Sequence, residues 1–419
     1  MATFSQFSGD IGVNAIARAI SAFADQEYTD AVRIAGTALI GADSRISTNE
    51  EDYFGTIRWQ QTLGALAYDA TAGSNSRSAT NINIGTEDAT EGALTDTSYD
   101  SSVYIKTVRA HGARNYNTTQ VLTQREGAIE KISRDFGVTR ARDADEALLA
   151  MARGVMQAEV NRRIDGAAAV SVGNRFGQGY TDSTYLNADA GFYYDVNGPQ
   201  NSAATDNAAT RTARLIDPAA QGGGAASALW RAAGAFGDLE PDFFYLVISP
   251  ETYQDVRAAN LLDNQDRISD GNVQLDTLLQ GKFRLVVTRS LGRGGFNMAG
   301  TAGTGTGQDR AVNAGSDRTS ILMLPGVLYQ HDVSVTNPVA FDNDESVGRG
   351  TGDRELWYRW GNVWHPRGYT WTGLTNAFAT NPNLNATIGA AAGSNYADGV
   401  NWQRKETPGN LGILPIFHA

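Results

Sequence analysis

Residues 355–372 read ELWYRWGNVWHPRGYTWT, and this stretch decides the fold. At the two-residue period of a strand, Trp357, Arg359 and Gly361 share one side while Tyr358, Trp360 and Asn362 share the other. Large side chains on both sides imply that both faces are at least partly covered. Pro366 holds His365 extended and removes a ladder donor, so the regular strand breaks there. Gly368 fits the turn before a second aromatic run, Tyr369 to Trp371. The stretch therefore reads as a strand that finishes a domain, with its rings in a core.

Working outward, alternation is also visible from Val333 to Phe341, followed by a charged turn around Asp342 to Arg354. Far earlier, TIRW from Thr56 and VYIKTV from Val103 alternate as strands do. Between them, Asp69 to Ser102 is rich in Gly, Ser, Asn and Thr and has too few large apolar residues to bury itself. A long two-stranded projecting loop is the natural reading, its base pairing with the late strands. Asp143 and Glu146 resemble a capping box opening a helix from Asp143 to Val170. Leu148, Ala152, Val155, Ala158/Glu159 and Arg162 form one helical row, widened by Leu149, Met156, Val160 and Ile164. Gly166 and Gly173 offer places to end it. A helix of about 25 residues is nearly 40 Å long, the length of a spine.

The flanks are less regular. Residues 1 to about 50 are polar and Ala-rich, with a helix from Asn14 to Ala24, and read as an arm that needs a neighbour to lie on. Residues 174–224 read as an irregular, surface-exposed insertion that contains the aromatic cluster Phe192, Tyr193 and Tyr194. A helix from Ala225 to Phe236 follows, with Leu229, Trp230, Ala233 and Phe236 on one side and Gly237 as its stop. Phe243 to Ile248 is a buried strand, and Ser249-Pro250-Glu251 supplies a cap, an N1 proline and an early acid for a helix ending at Asn260. Two more buried strands, Phe283 to Thr288 and Thr319 to Leu324, make this span a mixed α+β subdomain. Thr375 to Ala419 reads as a further extension, with Trp402 and an apolar ending from Leu411 to Phe417.

Composition narrows the class. The 419 residues suffice for two or three subdomains, with 41% hydrophobic residues and no Cys, which excludes disulfides, thiolate metal sites and a Cys nucleophile. The formal charge is −12, and Lys106, Lys131, Lys282 and Lys405 are the only lysines. The Arg preference has two readings, rigid pairing with carboxylates at interfaces or a lineage bias. An acidic chain binds nucleic acid poorly, so any DNA is expected to be contained and not gripped. MATFSQFSGD carries no secretory pattern and the apolar runs are too short to span a bilayer, so the chain is expected to be made in the cytoplasm without membrane contact.

A search for chemistry returns no catalytic, cofactor-binding or metal site. GRGGFNMAGTAGTGTG, Gly292 to Gly307, follows a strand without opening a helix and lacks a Lys-Ser/Thr end, unlike a phosphate loop. His111, His331, His365 and His418 are scattered without ligand spacing and are expected to be packed or surface residues. Asp342, Asp344 and Glu345 form an acidic turn that lacks the Gly and distal Glu of a calcium loop. Ser249 precedes a proline, where capping accounts for it. No nucleophile, base and oxyanion donors converge, so no enzyme is expected and no cofactor is implied.

The order of arm, projecting loop, spine helix, α+β subdomain and returning strands with an HPRGYTW stop resembles the tailed-bacteriophage major capsid proteins of the Hong Kong 97-like fold. NRRIDGA at Asn161 to Ala167 and LVISPETYQDVR at Leu246 to Arg257 add to the resemblance. It implies an α+β fold divided into an N-terminal arm (1–55), an extended loop (56–112), a peripheral domain with spine helix (113–173), an axial domain with insertion (174–332), peripheral strands (333–373) and a C-terminal extension (374–419). It further implies pentamers and hexamers of this chain in an icosahedral virion shell around double-stranded DNA. The implied partners are a separate scaffolding protein, a portal protein and, in some shells, a decoration or cement protein. The loop tip has no Lys for the covalent cross-link of some relatives, so a noncovalent shell is expected. An encapsulin-like compartment shares the fold, and a tail-sheath or surface-layer protein shares the composition.

Overall fold

A computed structural model describes residues 10–32, 34–48, 54–60, 99–116, 128–161, 192–196, 214–217, 224–239, 241–263, 268–270, 273–288, 291, 318–344, 353–372, 396, 399–406 and 411–418. Among the described residues, helices α1 (Asp10–Ala31), α2 (Ala128–Asn161), α3 (Ser227–Ala233) and α4 (Pro250–Ala258) accompany fifteen strands. The first sheet runs β1 (Ile40–Gly41), β10 (Leu328–Val333), β12 (Asp353–Pro366), β3 (Tyr99–Tyr116), β2 (Phe54–Gln60), with β11 (Val339–Asp344) also on β12. The second runs β4 (Tyr194–Asp195), β15 (Ile413–His418), β9 (Arg318–Met323), β5 (Phe244–Ile248), β8 (Phe283–Val287), β7 (Val273–Leu278), β6 (Ile268–Asp270). A two-stranded ribbon joins β13 (Tyr369–Trp371) to β14 (Trp402–Arg404).

The opening stretch forms β12, the expected break at Pro366, and β13 after a turn in which Gly368 has φ +82°. That left-handed angle suits a residue without Cβ. Both faces are at least partly covered, as expected, and the cover is complete only at the inner end. From Gly361 to Trp364 every residue is buried, whereas Trp357 is 38% exposed and Arg359 is exposed. The physical reason is what lies on each face. The Tyr358 and Trp360 side packs on Ile20, Ala24 and Phe136 of the helices, and the opposite side is filled at the inner end by Ile46, Ile57, Tyr104, Val333 and Val363.

The long helix is α2, 34 residues or about 50 Å. It starts at Ala128, so Asp143 is not a cap but lies mid-helix, with its carboxylate accepting from Trp360 Nε1 at 3.1 Å and paired with Arg109 at 3.1 Å. The D-x-x-E spacing of a cap also suits two lateral positions of a running helix. The expected continuation to Val170 and its stops at Gly166 and Gly173 lie outside the described residues.

Three segments expected to be peripheral belong to the core. Residues 10–48 do not wait for a neighbour: α1 lies on α2, and Asp145 Oδ1 accepts from the amides of Ile34 and Ala35 at 3.0 and 3.1 Å. At Gly137 the helices approach so closely that a Cβ would strike the Ala24 carbonyl oxygen. Phe192, Tyr193 and Tyr194 are buried and not surface-exposed, because β4 adds to the second sheet beside β15. The apolar ending is no extension either: β15 sits between β4 and β9 with all six residues buried.

The second sheet otherwise follows the sequence closely. β5 is buried throughout, and Ser249 Oγ accepts from Thr252 N at 3.1 Å at the start of α4, which has Pro250 at its first position. The helix after Ala225 is shorter than expected, Ser227–Ala233 followed by a 3-10 turn to Leu239, and Trp230 is 44% exposed instead of buried with Leu229. Strands β6, β7 and β10 carry polar residues in their runs and are absent from the sequence-based reading. Asp342 and Asp344 fall in β11, paired with Glu355 and Asp353, so the acidic stretch begins as strand and not as turn.

Candidate functional site

Two features distinguish this fold: a two-stranded stem that leaves the first sheet, and the polar junctions that fix its base. β3 is 18 residues long. From Ile105 to Tyr116 it pairs with β12, and from Tyr99 to Ile105 it pairs on its other edge with β2, in register from Phe54↔Ile105 to Gln60↔Tyr99. The chain therefore runs out of the sheet as an antiparallel ribbon, and the flanks expected of the projecting loop are paired. The tip, residues 61–98, lies outside the described residues.

The base of the ribbon is tied to the aromatic stop. Ser102 Oγ donates to the Tyr369 carbonyl at 2.6 Å and lies 2.9 Å from His365 Nε2, and Val103 N donates to Thr370 Oγ1 at 2.8 Å. Ser47 N donates to the Tyr104 phenol at 2.7 Å, which ties the segment after β1 to the same base. Burial drives the His365 imidazole down to about 3, so it is neutral at ordinary pH.

Two further junctions hold the long helix. At its outer part, Arg140 Nη1 donates to Asp25 at 2.8 Å and to the Tyr358 phenol at 3.1 Å, and Nη2 pairs with Asp332 at 3.2 Å. Burial acts to lower the Arg140 guanidinium, but Tyr358, Asp332 and Tyr28 outweigh it and the net shift is upward. Burial pushes the Tyr358 phenol up to about 12 against the pull of Arg140. Burial also raises the Asp143 carboxyl, in opposition to Arg109 and the Trp360 indole.

At the inner part, Glu159 is 1% exposed. Its Oε2 accepts from Arg404 at 2.9 Å and from Phe192 N at 2.8 Å, and its Oε1 accepts from the Tyr369 phenol at 3.1 Å. One carboxylate thus joins α2, the aromatic stop, β14 and the segment before β4. Gly154 marks the crossing, where a Cβ would collide with the Tyr396 carbonyl oxygen. Trp371, Tyr396 and Trp402 close over it, Trp371 meeting Trp402 edge-on at 5.0 Å. Glu159 follows Leu148, Ala152 and Val155 in one helical row, and a carboxylate continuing an apolar row is the sequence signal that a buried cation partner exists. The row does not say that the partner is Arg404, 245 residues away.

No reaction centre emerges among the described residues. His111 meets Phe136 edge-on, His331 Nε2 accepts from Asp43 N, and His365 and His418 are buried beside Ser102 and Ser320. The four histidines are not brought together, and no group of three or more His, Asp or Glu able to hold a metal is found among the described residues. Ser249 is the cap described above. Lys106 is buried on β3. Arg162, Arg163, Glu345 and Gly292 to Gly307 lie outside the described residues. No described helix is long and apolar enough to cross a membrane.

No family model and no curated protein matches the chain. Among solved structures it is similar to the capsid of Ralstonia phage GP4, at 11% identity and TM-score 0.47 over 93% of this chain and 89% of that one. It is also similar to the cyanophage Pam1 capsid asymmetric unit, at 12% identity and TM-score 0.45 over 94% and 92%. The capsid of cyanophage P-SCSP1u aligns at 11% identity and TM-score 0.40 over 91% and 86%.

Proposed function

We propose that this chain is the major capsid protein of a tailed bacteriophage, building a Hong Kong 97-like icosahedral shell from pentamers and hexamers around double-stranded DNA. The observation that supports this best is the continuity of β3, one strand that pairs with β12 along one part and with β2 along the other, accompanied by a 34-residue helix. In this proposal the sheet and helix fix the angle of the ribbon, and the loop it carries is assigned to a neighbouring subunit. In the sheet order β2 is an edge strand among the described residues, and on this reading a neighbouring copy covers that edge. Interfaces of the obligate class, roughly 2,000 to 5,000 Å², are expected from such interlocking. Head-to-tail contacts of this kind close into rings, and rings tile a shell.

In this reading the role is structural and not enzymatic, the location is the virion shell, and assembly takes place in the host cytoplasm. A separate scaffolding protein, a portal and, in some shells, a decoration protein complete the partners. The acidic balance of the chain suits a container from which DNA must leave. Arg162, which continues the helix row in sequence, and its neighbour Arg163 are assigned to an interface between subunits.

Electron microscopy of the expressed chain, alone and with a co-expressed scaffold, tests the proposal. Closed particles built of five- and six-membered rings are expected; tubes, flat sheets or a persistent monomer under both conditions overturn it. Arg162→Ala combined with Arg163→Ala is expected to reduce particle yield severalfold with the fold intact by circular dichroism. Normal yield removes those two residues from the interface.

A further inference from the structure

The junction at the stem's base contains one buried group with an unmet valence. A carbonyl oxygen only accepts, so the Ser102 hydroxyl proton is committed to Tyr369 O at 2.6 Å. The Ser102 oxygen must then accept from His365 Nε2, 2.9 Å away, which places the imidazole proton on Nε2 and leaves Nδ1 bare. Among the described residues Nδ1 has no hydrogen-bond partner, His365 is 2% exposed, and its ring stacks on Tyr329 at 6.4 Å. A proton added at Nδ1 would create a buried cation whose new N–H has no acceptor.

The surrounding charges give that cation little help. Asp43 is the carboxylate whose field favours it, but Asp43 is already paired with Arg45 and its amide is held by His331. On β10 stands the Tyr329 phenol, with Arg367 and Glu406 acting on it in opposite senses. On β3, Tyr104 accepts from Ser47 N, and Lys106 is buried opposite Val363 in the ladder.

We propose that His365 is an acid-sensitive latch: protonation of Nδ1 by solvent opens the Ser102–His365–Tyr369 junction and loosens the stem from the aromatic stop. The open form exposes the ring and binds the proton near the ordinary imidazole value of about 6.5, whereas the closed form does so only near 3. The stabilisation of the closed form is therefore fully present above about pH 6.5 and is lost progressively as pH falls towards 3. Over that window each pH unit multiplies the opening constant by about ten, one proton being bound on opening. The latch sets the angle of the stem, so in a shell it couples acidification to a change in how subunits engage. Its geometry stands whether or not the chain builds a shell.

Hydrogen exchange of the full-length chain tests the latch, read by mass spectrometry between pH 7.5 and 4.5 and corrected for the intrinsic pH dependence of amide exchange. In peptides spanning 99–106 and 363–371 the wild-type opening constant is expected to be flat above pH 6.5 and to rise about tenfold per unit below it. His365→Gln keeps an N–H for Ser102 and has no group to protonate, so its profile is expected to be flat. Ser102→Ala keeps the imidazole and is expected to open more readily at every pH with the wild-type slope. A flat wild-type profile, an unchanged slope in His365→Gln, a slope lost in Ser102→Ala, or a slope lost only in His418→Gln each overturns the proposal.

Discussion

The long helix α2 is gripped twice, and the two grips are built on opposite electrostatic plans. At the outer one, around Gly137 and Arg140, a buried guanidinium reaches carboxylates that remain in water: the side chains of Asp25 and Asp332 are each 59% exposed. At the inner one, around Gly154 and Glu159, both charges are removed from solvent, with Arg404 at 2% and Glu159 at 1% exposure. The outer grip yields at small cost when one carboxylate leaves, because Arg140 keeps the other and the Tyr358 phenol. A desolvated pair does not, because the survivor becomes an unpaired buried charge. The outer grip suits parts that adjust, such as α1 and the one-sided end of β12. The inner grip suits the fixed crossing of helix, aromatic stop and C-terminal strand.

The largest expected effect lies at the inner grip. Arg404→Met leaves Glu159 buried with only the Phe192 amide and the Tyr369 phenol, and is expected to destabilise the chain by roughly 3–5 kcal/mol in urea unfolding. Adding Glu159→Leu should recover most of that loss, because no unpaired charge remains. If the double variant is as unstable as the single, desolvation is not the source of the difference between the grips.

Trp360→Ala comes next. The indole is 5% exposed, packs with Tyr358 at 5.6 Å and donates to Asp143, so its loss is expected to cost roughly 3–4 kcal/mol. The same substitution should lower particle assembly, since β12 is the floor beside the stem. A variant that loses this stability yet assembles fully would separate the floor from the stem.

Tyr358 offers a pH test of the outer grip. Its phenol ionises at about 12 in the folded chain and near 10 when unfolded. The unfolded chain therefore releases this proton first, and the stabilisation present below pH 10 is lost as pH rises towards 12, on the order of 2–3 kcal/mol in all. Alkaline unfolding should show this loss in the wild type and a shallower one in Tyr358→Phe. Identical alkaline profiles would sink the assignment.

Asp25→Asn is expected to have the smallest effect, about 0.2–1 kcal/mol and shrinking as salt is added. A loss as large as that of Arg404→Met would erase the distinction drawn between the two grips.

Much of the framework was legible because it depends on neighbours along the chain. Alternation located β12, Pro366 its end, Gly368 its turn, and the Ser249-Pro250-Glu251 sequence the start of α4. What was misread depends on distant partners. Asp143 and Glu146 have a cap's spacing, yet Phe136 and Gly137 continue the helix beneath α1, so the cap position is filled by more helix. The Phe192 cluster and the apolar ending looked peripheral because each is short, and a short apolar run has no period of its own. They are the parallel pair β4 and β15, a contact between segments more than two hundred residues apart in sequence.

By itself the sequence determined the locally encoded elements: the aromatic strand and its stop, a long amphipathic helix, the two strands on either side of residues 61–98, and the absence of Cys chemistry. The tertiary structure alone decided which charges meet. Arg404 finds Glu159, Arg140 finds Asp25 and Asp332, and His365 finds Ser102, none of them within a hundred residues of its partner. The physical reason is that periodicity records which face of an element avoids water, whereas the worth of a charge depends on what else has been removed from water beside it.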